Sequence, residues 1–155
     1  MLRDAINTAL KDAMKSQDKR RISTLRLVNA AIKNAEIEAR GAGKEPLGED
    51  AILGVLQKMI KQRQESAELY DKGGRPELAA QEREEVEIIS AYLPRQMSDL
   101  EAGSVIQQIV HEINAQGLKD MGRTMAALKE RFAGKMDFAK ASAKVKELLG
   151  SHGRS

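Results

Sequence analysis

Residues 58–98 read KMIKQRQESAELYDKGGRPELAAQEREEVEIISAYLPRQMS. This stretch decides the architecture. Apolar positions recur at helical spacing on both sides of Gly73-Gly74, and two glycines followed by Pro76 are a helix stop and a helix start. The two helices they separate are therefore antiparallel neighbours. The second stops before Pro94, because the residue ahead of a proline is disfavoured in the helical region. Ser98, with Glu101 three residues on, is a capping-box signature that opens another helix.

Working outward, the same helical periodicity covers nearly the whole chain, and no segment alternates at period two for long enough to form a strand. Leu2, Ile6, Leu10 and Ala13 mark a first helix. Ile22, Leu25, Val28, Ile32, Ala35 and Ala39 mark a second. Gly41, Gly43 and Pro46 break the chain before the third, whose stripe is Ile52, Leu56, Met59 and Tyr70. Leu78, Ile89 and Tyr92 belong to the fourth. Beyond Ser98, Val105, Ile109 and Ile113 form the inner stripe of a fifth helix that ends at Gly117. Asp120 is placed to cap a sixth with Met121, Met125, Leu128 and Phe132. Asp137 is placed to cap a seventh with Phe138, Ala141, Val145 and Leu148. The expected fold is all-α: a four-helix N-terminal bundle over 1–95, a small three-helix domain over 96–150, and a flexible tail over 151–155.

Composition narrows the chemistry. The 155 residues contain no cysteine and no tryptophan, 3% aromatics and 32% charged residues. The core is therefore aliphatic and Met-rich. Disulfides, thiolate catalysis and zinc–thiolate sites are excluded. No apolar run approaches the ~20 residues that span a bilayer, and the first helix lacks the apolar core of a secretory signal. The expectation is a cytoplasmic protein with no membrane association. Of the two histidines, neither His111 nor His152 has a second ligand at metal spacing, so no metal site is expected. There is no phosphate-binding loop and no dinucleotide fingerprint, so no nucleotide cofactor is expected either.

Two constellations stand out. On the third helix the stripe 52–56–59 continues through Arg63 and Ser66. On the fourth it runs through Glu82, Glu85 and Tyr92. Arg63 and Glu85 are each eleven residues from Gly74, so they meet at one height across the turn, with Arg26 of the second helix near that level. A guanidinium facing carboxylates in a partly buried seam is either a structural ion-pair network that fixes register or a ligand cluster. The second constellation is Asp120-Met121-Gly122-Arg123-Thr124-Met125. It is either a capped helix with a glycine for close packing or an anion site at a helix start. Residues 119–155 hold 9 Lys/Arg against 4 Asp/Glu. The cations Lys119, Arg123, Lys129, Lys135, Lys140, Lys144 and Lys146 are candidates for phosphate contacts.

The segments KQRQES (61–66), GRPELAAQEREE (74–85), YLPRQMS (92–98) and DMGRTM (120–125) resemble the YqeY-like family, and the likeness covers nearly the whole chain. In that family the C-terminal half is similar to the tail domain of the B subunit of glutamine-dependent tRNA amidotransferases. The resemblance implies an all-helical protein with Asp120, Gly122, Met125, Gly134, Lys135 and Asp137 as tail-motif positions. It also implies a tRNA role for the basic residues around them. By the same resemblance the partner is tRNA or a tRNA-handling complex. The B subunit's catalytic cradle has no counterpart in 155 residues, so independent catalysis is not expected. A component of a carbon–nitrogen ligase with glutamine as amido-nitrogen donor, and a protein–protein adaptor, are the alternatives.

Overall fold

The structure, a computed structural model, describes residues 1–43 and 47–152. The expected break at Pro46 and most of the expected tail lie outside the described residues. Among the described residues the chain is all-helical, with seven α-helices and no strand. It divides into two compact units, Met1–Leu93 and Pro94–Ser155.

The first unit holds α1 (Leu2–Ser16), α2 (Lys19–Gly41), α3 (Glu49–Lys72) and α4 (Pro76–Ser90). Gln17, in the left-handed region at φ 58°, ends α1. The Asp18 side chain then accepts the Arg21 N–H at 3.2 Å and starts α2. Gly74, at φ 73°, makes the reversal between α3 and α4, a conformation that any side chain would oppose. Pro76 follows in the first turn of α4, where its missing N–H costs nothing. α1 packs along α2 and α3 along α4. Their shared core is Ile6, Leu25, Val28, Ile32, Ile52, Leu56, Met59 and Ile89.

The second unit holds α5 (Asp99–Glu112), α6 (Met121–Phe132) and α7 (Phe138–His152), with a 3-10 turn over Leu118–Asp120. Its core is Ile106, Ile109, Val110, Ala115, Leu128, Met136, Ala141, Val145 and Leu149. Both phenylalanines are only partly buried, at the edge of this core. The inner stripes sit one residue from some expected positions. Ile106 is buried where Val105 was expected, Leu149 replaces Leu148, and Ala79 replaces Leu78, while Ile113 lies just past α5, which ends at Glu112 and not at the expected Gly117. A helix buries a stripe more than 100° wide, so neighbouring positions compete, and the facing helix selects among them.

Two threonines are fully buried. Thr124 Oγ1 donates to the Asp120 carbonyl at 2.8 Å. The Thr24 hydroxyl, on α2, has no hydrogen-bond partner among the described residues.

Candidate functional site

The polar seam of the first unit forms. Arg63 Nε lies 3.1 Å from Glu85 Oε2, and Arg63 Nη1 donates to the Met59 carbonyl one turn back at 3.2 Å. The two side chains are 14% and 15% exposed, so water is largely but not wholly excluded from the pair. Glu82 lies one turn before Glu85 on α4. Burial pushes its carboxyl above the ordinary value and the Glu85 charge adds to this, while Arg63 opposes both. Ser66 is half-buried, one turn beyond Arg63. Tyr92 packs against the core, and burial raises its phenol, with Arg21 acting the other way.

Arg26 departs from expectation. It is exposed and borders a hollow beside Met14 and Gln17 of α1, and it is not among the charges that act on Glu82. The buried face of α2 is set by Thr24, Leu25 and Val28, which turns Arg26 outward. α2 instead reaches α4 through Arg20, whose Nε lies 3.3 Å from Glu84.

In the second unit the DMGRTM segment also differs from its expected geometry. Asp120 occupies the N-cap position of α6, but its side chain makes no capping bond. It turns back to accept the Gln116 N–H at 2.8 Å. That bond, foremost, and Arg123 hold the Asp120 carboxyl below the usual range, against the effect of burial. The intervening 3-10 turn rotates the carboxylate away from the first turn of α6, which is why the expected cap does not form. Arg123 is committed within the unit: Nη1 donates to the Ile113 carbonyl at 2.8 Å and Nη2 lies 3.3 Å from Asp120. Gly122 is exposed, and a Cβ built there would meet nothing within 4 Å. It is therefore not a glycine required by packing inside the chain.

The other motif positions have structural duties. Gly134 is buried at φ 76°, in the left-handed region between α6 and α7. Asp137 Oδ1 accepts the Ala139 and Lys140 N–H groups at 2.9 and 3.2 Å, which caps α7 as expected. Met125 packs half-buried on the core. The YLPRQMS segment is divided in use. Tyr92 and Leu93 pack into the first core. The Met97 N–H donates to the Lys135 carbonyl at 2.8 Å, and Gln96 Nε2 to the Gly134 carbonyl. Ser98 and Glu101 complete the capping box at 3.1 and 3.2 Å. Arg95 clamps Glu101 through two bonds of 3.1 Å, and these, together with Ser98, hold that carboxyl low. The roles of Arg95 and Gln96 escaped sequence reasoning; only their position beside a capping box hinted at them.

The seven basic candidates do not act alike. Lys119, Lys129, Lys135, Lys140 and Lys146 are exposed. The Lys144 stem lies over Gly103 of α5, close enough that a Cβ there would meet Nζ at 3.4 Å. On α6, Arg123 and Lys129 are six residues, or about 120°, apart around the axis, on either side of buried Thr124 and Leu128. On α7, Lys140 and Lys144 share a side, whereas Lys146 lies about 160° round from Lys144. The cations of each helix therefore do not all share one side of that helix. Among the described residues, no cluster of three or more His, Asp or Glu side chains could hold a metal ion, and no helix is long and apolar enough to cross a membrane.

Against known families, residues 3–149 match the model of the family described as Yqey-like protein. A relative in Eremothecium gossypii, named "Altered inheritance of mitochondria protein 41, mitochondrial", is 37% identical over 84 residues, which is 54% of this chain and 44% of the relative. The protein of the same name in Lachancea thermotolerans is 40% identical over 84 residues, covering 54% and 43%. That of Pyrenophora tritici-repentis is 27% identical over 150 residues, covering 92% and 77%. The matched part of this chain spans less than half the length of the first two relatives. Their names overturn the expected cytoplasmic location, since these relatives are named as mitochondrial. The physical reason is plain: the lack of a spanning segment or secretory core does not distinguish one aqueous compartment from another.

Proposed function

This chain belongs to the YqeY-like family, and from that premise we propose that it is a non-catalytic binding module that docks on tRNA or on a tRNA-handling complex. The finer architecture in this reading is a four-helix bundle followed by a three-helix domain that makes the contact. The observation that carries the proposal is the charge of the second unit. Residues 94–155 hold 10 Lys/Arg against 7 Asp/Glu, and Lys119, Lys129, Lys135, Lys140 and Lys146 are exposed. Dispersed lysines without exposed aromatics suit phosphate contacts on a folded RNA, read by shape and not by base stacking. Arg123 serves the loop between α5 and α6, so the phosphate-binding role passes to the lysines.

The test is a salt titration of tRNA binding by the wild type and by Lys119→Glu/Lys129→Glu. Expected is an affinity that falls steeply with salt and drops about tenfold in the double variant. Undetectable binding at low salt, or binding indifferent to both salt and substitution, would reject the proposal. The competing assignment is a component of a carbon–nitrogen ligase using glutamine. A glutaminase assay on the pure protein separates the two.

A further inference from the structure

α2 carries Lys19, Arg26, Lys33 and Arg40, each seven residues from the next and all four exposed. Seven residues are nearly two helical turns, so these cations run along one side of the helix at intervals of about 10 Å. Two hollows between α1 and α2 open beside the row. One, about 490 Å³, joins Lys19 and Arg26 to the apolar Met14 and Ile22. The other, about 370 Å³, joins Lys33 and Arg40 to Ile32 and Ile37. Met14 is 50% exposed and Ile37 is 58% exposed, so each hollow presents an apolar side chain to solvent. Among the described residues that line the hollows, Glu36 is the one acid, and it is paired with Arg3.

The row is not the overspill of a generally basic unit, because residues 1–93 hold 16 Lys/Arg and 16 Asp/Glu. Helix stability accounts for Arg40, in the last turn of α2, but not for the row as a whole. Lys19 is the first residue of α2, at the end where the helix dipole disfavours a cation.

We propose that the α1–α2 groove is the docking site of an acidic amphipathic helix from a partner protein. Such a helix repeats carboxylates at seven-residue spacing with the same interval of about 10 Å, in register with the row. Apolar side chains eleven residues apart fall on one side of it, about 16 Å from each other, and reach both hollows. A nucleic-acid backbone would satisfy the cations but leave Met14, Ile22 and Ile37 without partners. The apolar content of the groove therefore favours the helix.

The test uses the full chain and a fluorescein-labelled synthetic helix of about 28 residues, with Glu at every seventh position and two Leu eleven apart. A peptide of the same composition in scrambled order is the control, and folded tRNA is a second probe. Expected is binding of the patterned peptide at least about tenfold tighter than the scrambled one, weakened by salt and by about tenfold in Arg26→Glu/Lys33→Glu. A peptide with Lys in place of the patterned Glu should bind that variant better than it binds the wild type. Lys33→Glu alone is the milder variant, with a loss of about threefold expected. Circular dichroism should show unchanged folding, since both substituted side chains are exposed. Equal binding of the two peptides, binding indifferent to the substitutions, or no binding at low salt would overturn the proposal. So would a double variant that loses tRNA and keeps the peptide, which would assign the groove to a phosphate backbone.

Discussion

Arg63 and Glu85 face one another across the α3–α4 reversal, Nε to Oε2 at 3.1 Å, each eleven residues from Gly74. The pair fixes which turn of α3 lies beside which turn of α4, because a slip of one turn either strands both charges or hands Arg63 to Glu82 and leaves Glu85 poorly solvated and unpaired. Glu85→Ala should therefore destabilise the protein by about 2–3 kcal/mol, somewhat less than a fully buried pair, since both side chains retain some water contact. Arg63→Met/Glu85→Leu should recover most of that loss. Denaturant unfolding checks both. Unchanged stability in Glu85→Ala together with lost tRNA binding would make the seam a ligand site instead of a register device.

Glu82 sets a pH dependence. Its folded carboxyl is raised, chiefly by burial. The native state therefore binds a proton more readily than the unfolded chain does. This contribution to stability is fully present below the ordinary carboxylate value and is lost as pH rises through the raised folded value. Glu82→Gln should accordingly be more stable than the wild type at neutral pH, and the difference should shrink as the solution is acidified toward pH about 4. Melting curves of both proteins across that range decide the matter. A gap that widens on acidification would contradict it.

Thr24 buries a hydroxyl with no partner among the described residues. Thr24→Val keeps the shape and removes the unsatisfied group, so it should stabilise the protein by about 1 kcal/mol or more. Thr124→Val is the matched control. It loses a real bond to the Asp120 carbonyl and should be neutral or destabilising by about 1 kcal/mol. Thermal unfolding of the pair gives the comparison, and a destabilised Thr24→Val would show that the hydroxyl is satisfied in solution.

Two glycines of the tail motif should separate. Gly134, buried at φ 76°, is required by its backbone, and Gly134→Ala should cost about 1–2 kcal/mol. Gly122 is helical with open space around it. Gly122→Ala should gain up to about 1 kcal/mol from helix propensity. If Gly122→Ala raises the melting temperature and weakens tRNA binding, the glycine serves the approach of a partner. Intact binding would leave it without that role.

Much of this was legible in the chain itself. The reversal at Gly73-Gly74, the proline start of α4, the capping box at Ser98 and the cap at Asp137 are local events. Each is decided by one residue's backbone freedom or one side chain's reach, and each appears where the sequence places it. The Arg63–Glu85 pair was legible because a tight reversal makes distance along two helices a matter of counting. The row 19–26–33–40 was equally open to counting, yet periodic charge means little until the helix's outward face is known.

The sequence by itself determined the all-helical class, most of the helix starts and the aliphatic character of both cores, since these follow from periodicity, capping and composition, while α5 stops at Glu112, short of the expected Gly117. Only the tertiary structure decided that Ile106 and not Val105 is inside, that Arg26 faces the α1 groove, that Asp120 turns back to Gln116, and that Arg123 serves a loop. Those outcomes depend on the rotation of each helix about its axis. That rotation is set by the side chains of neighbouring helices, which no local stretch of sequence contains.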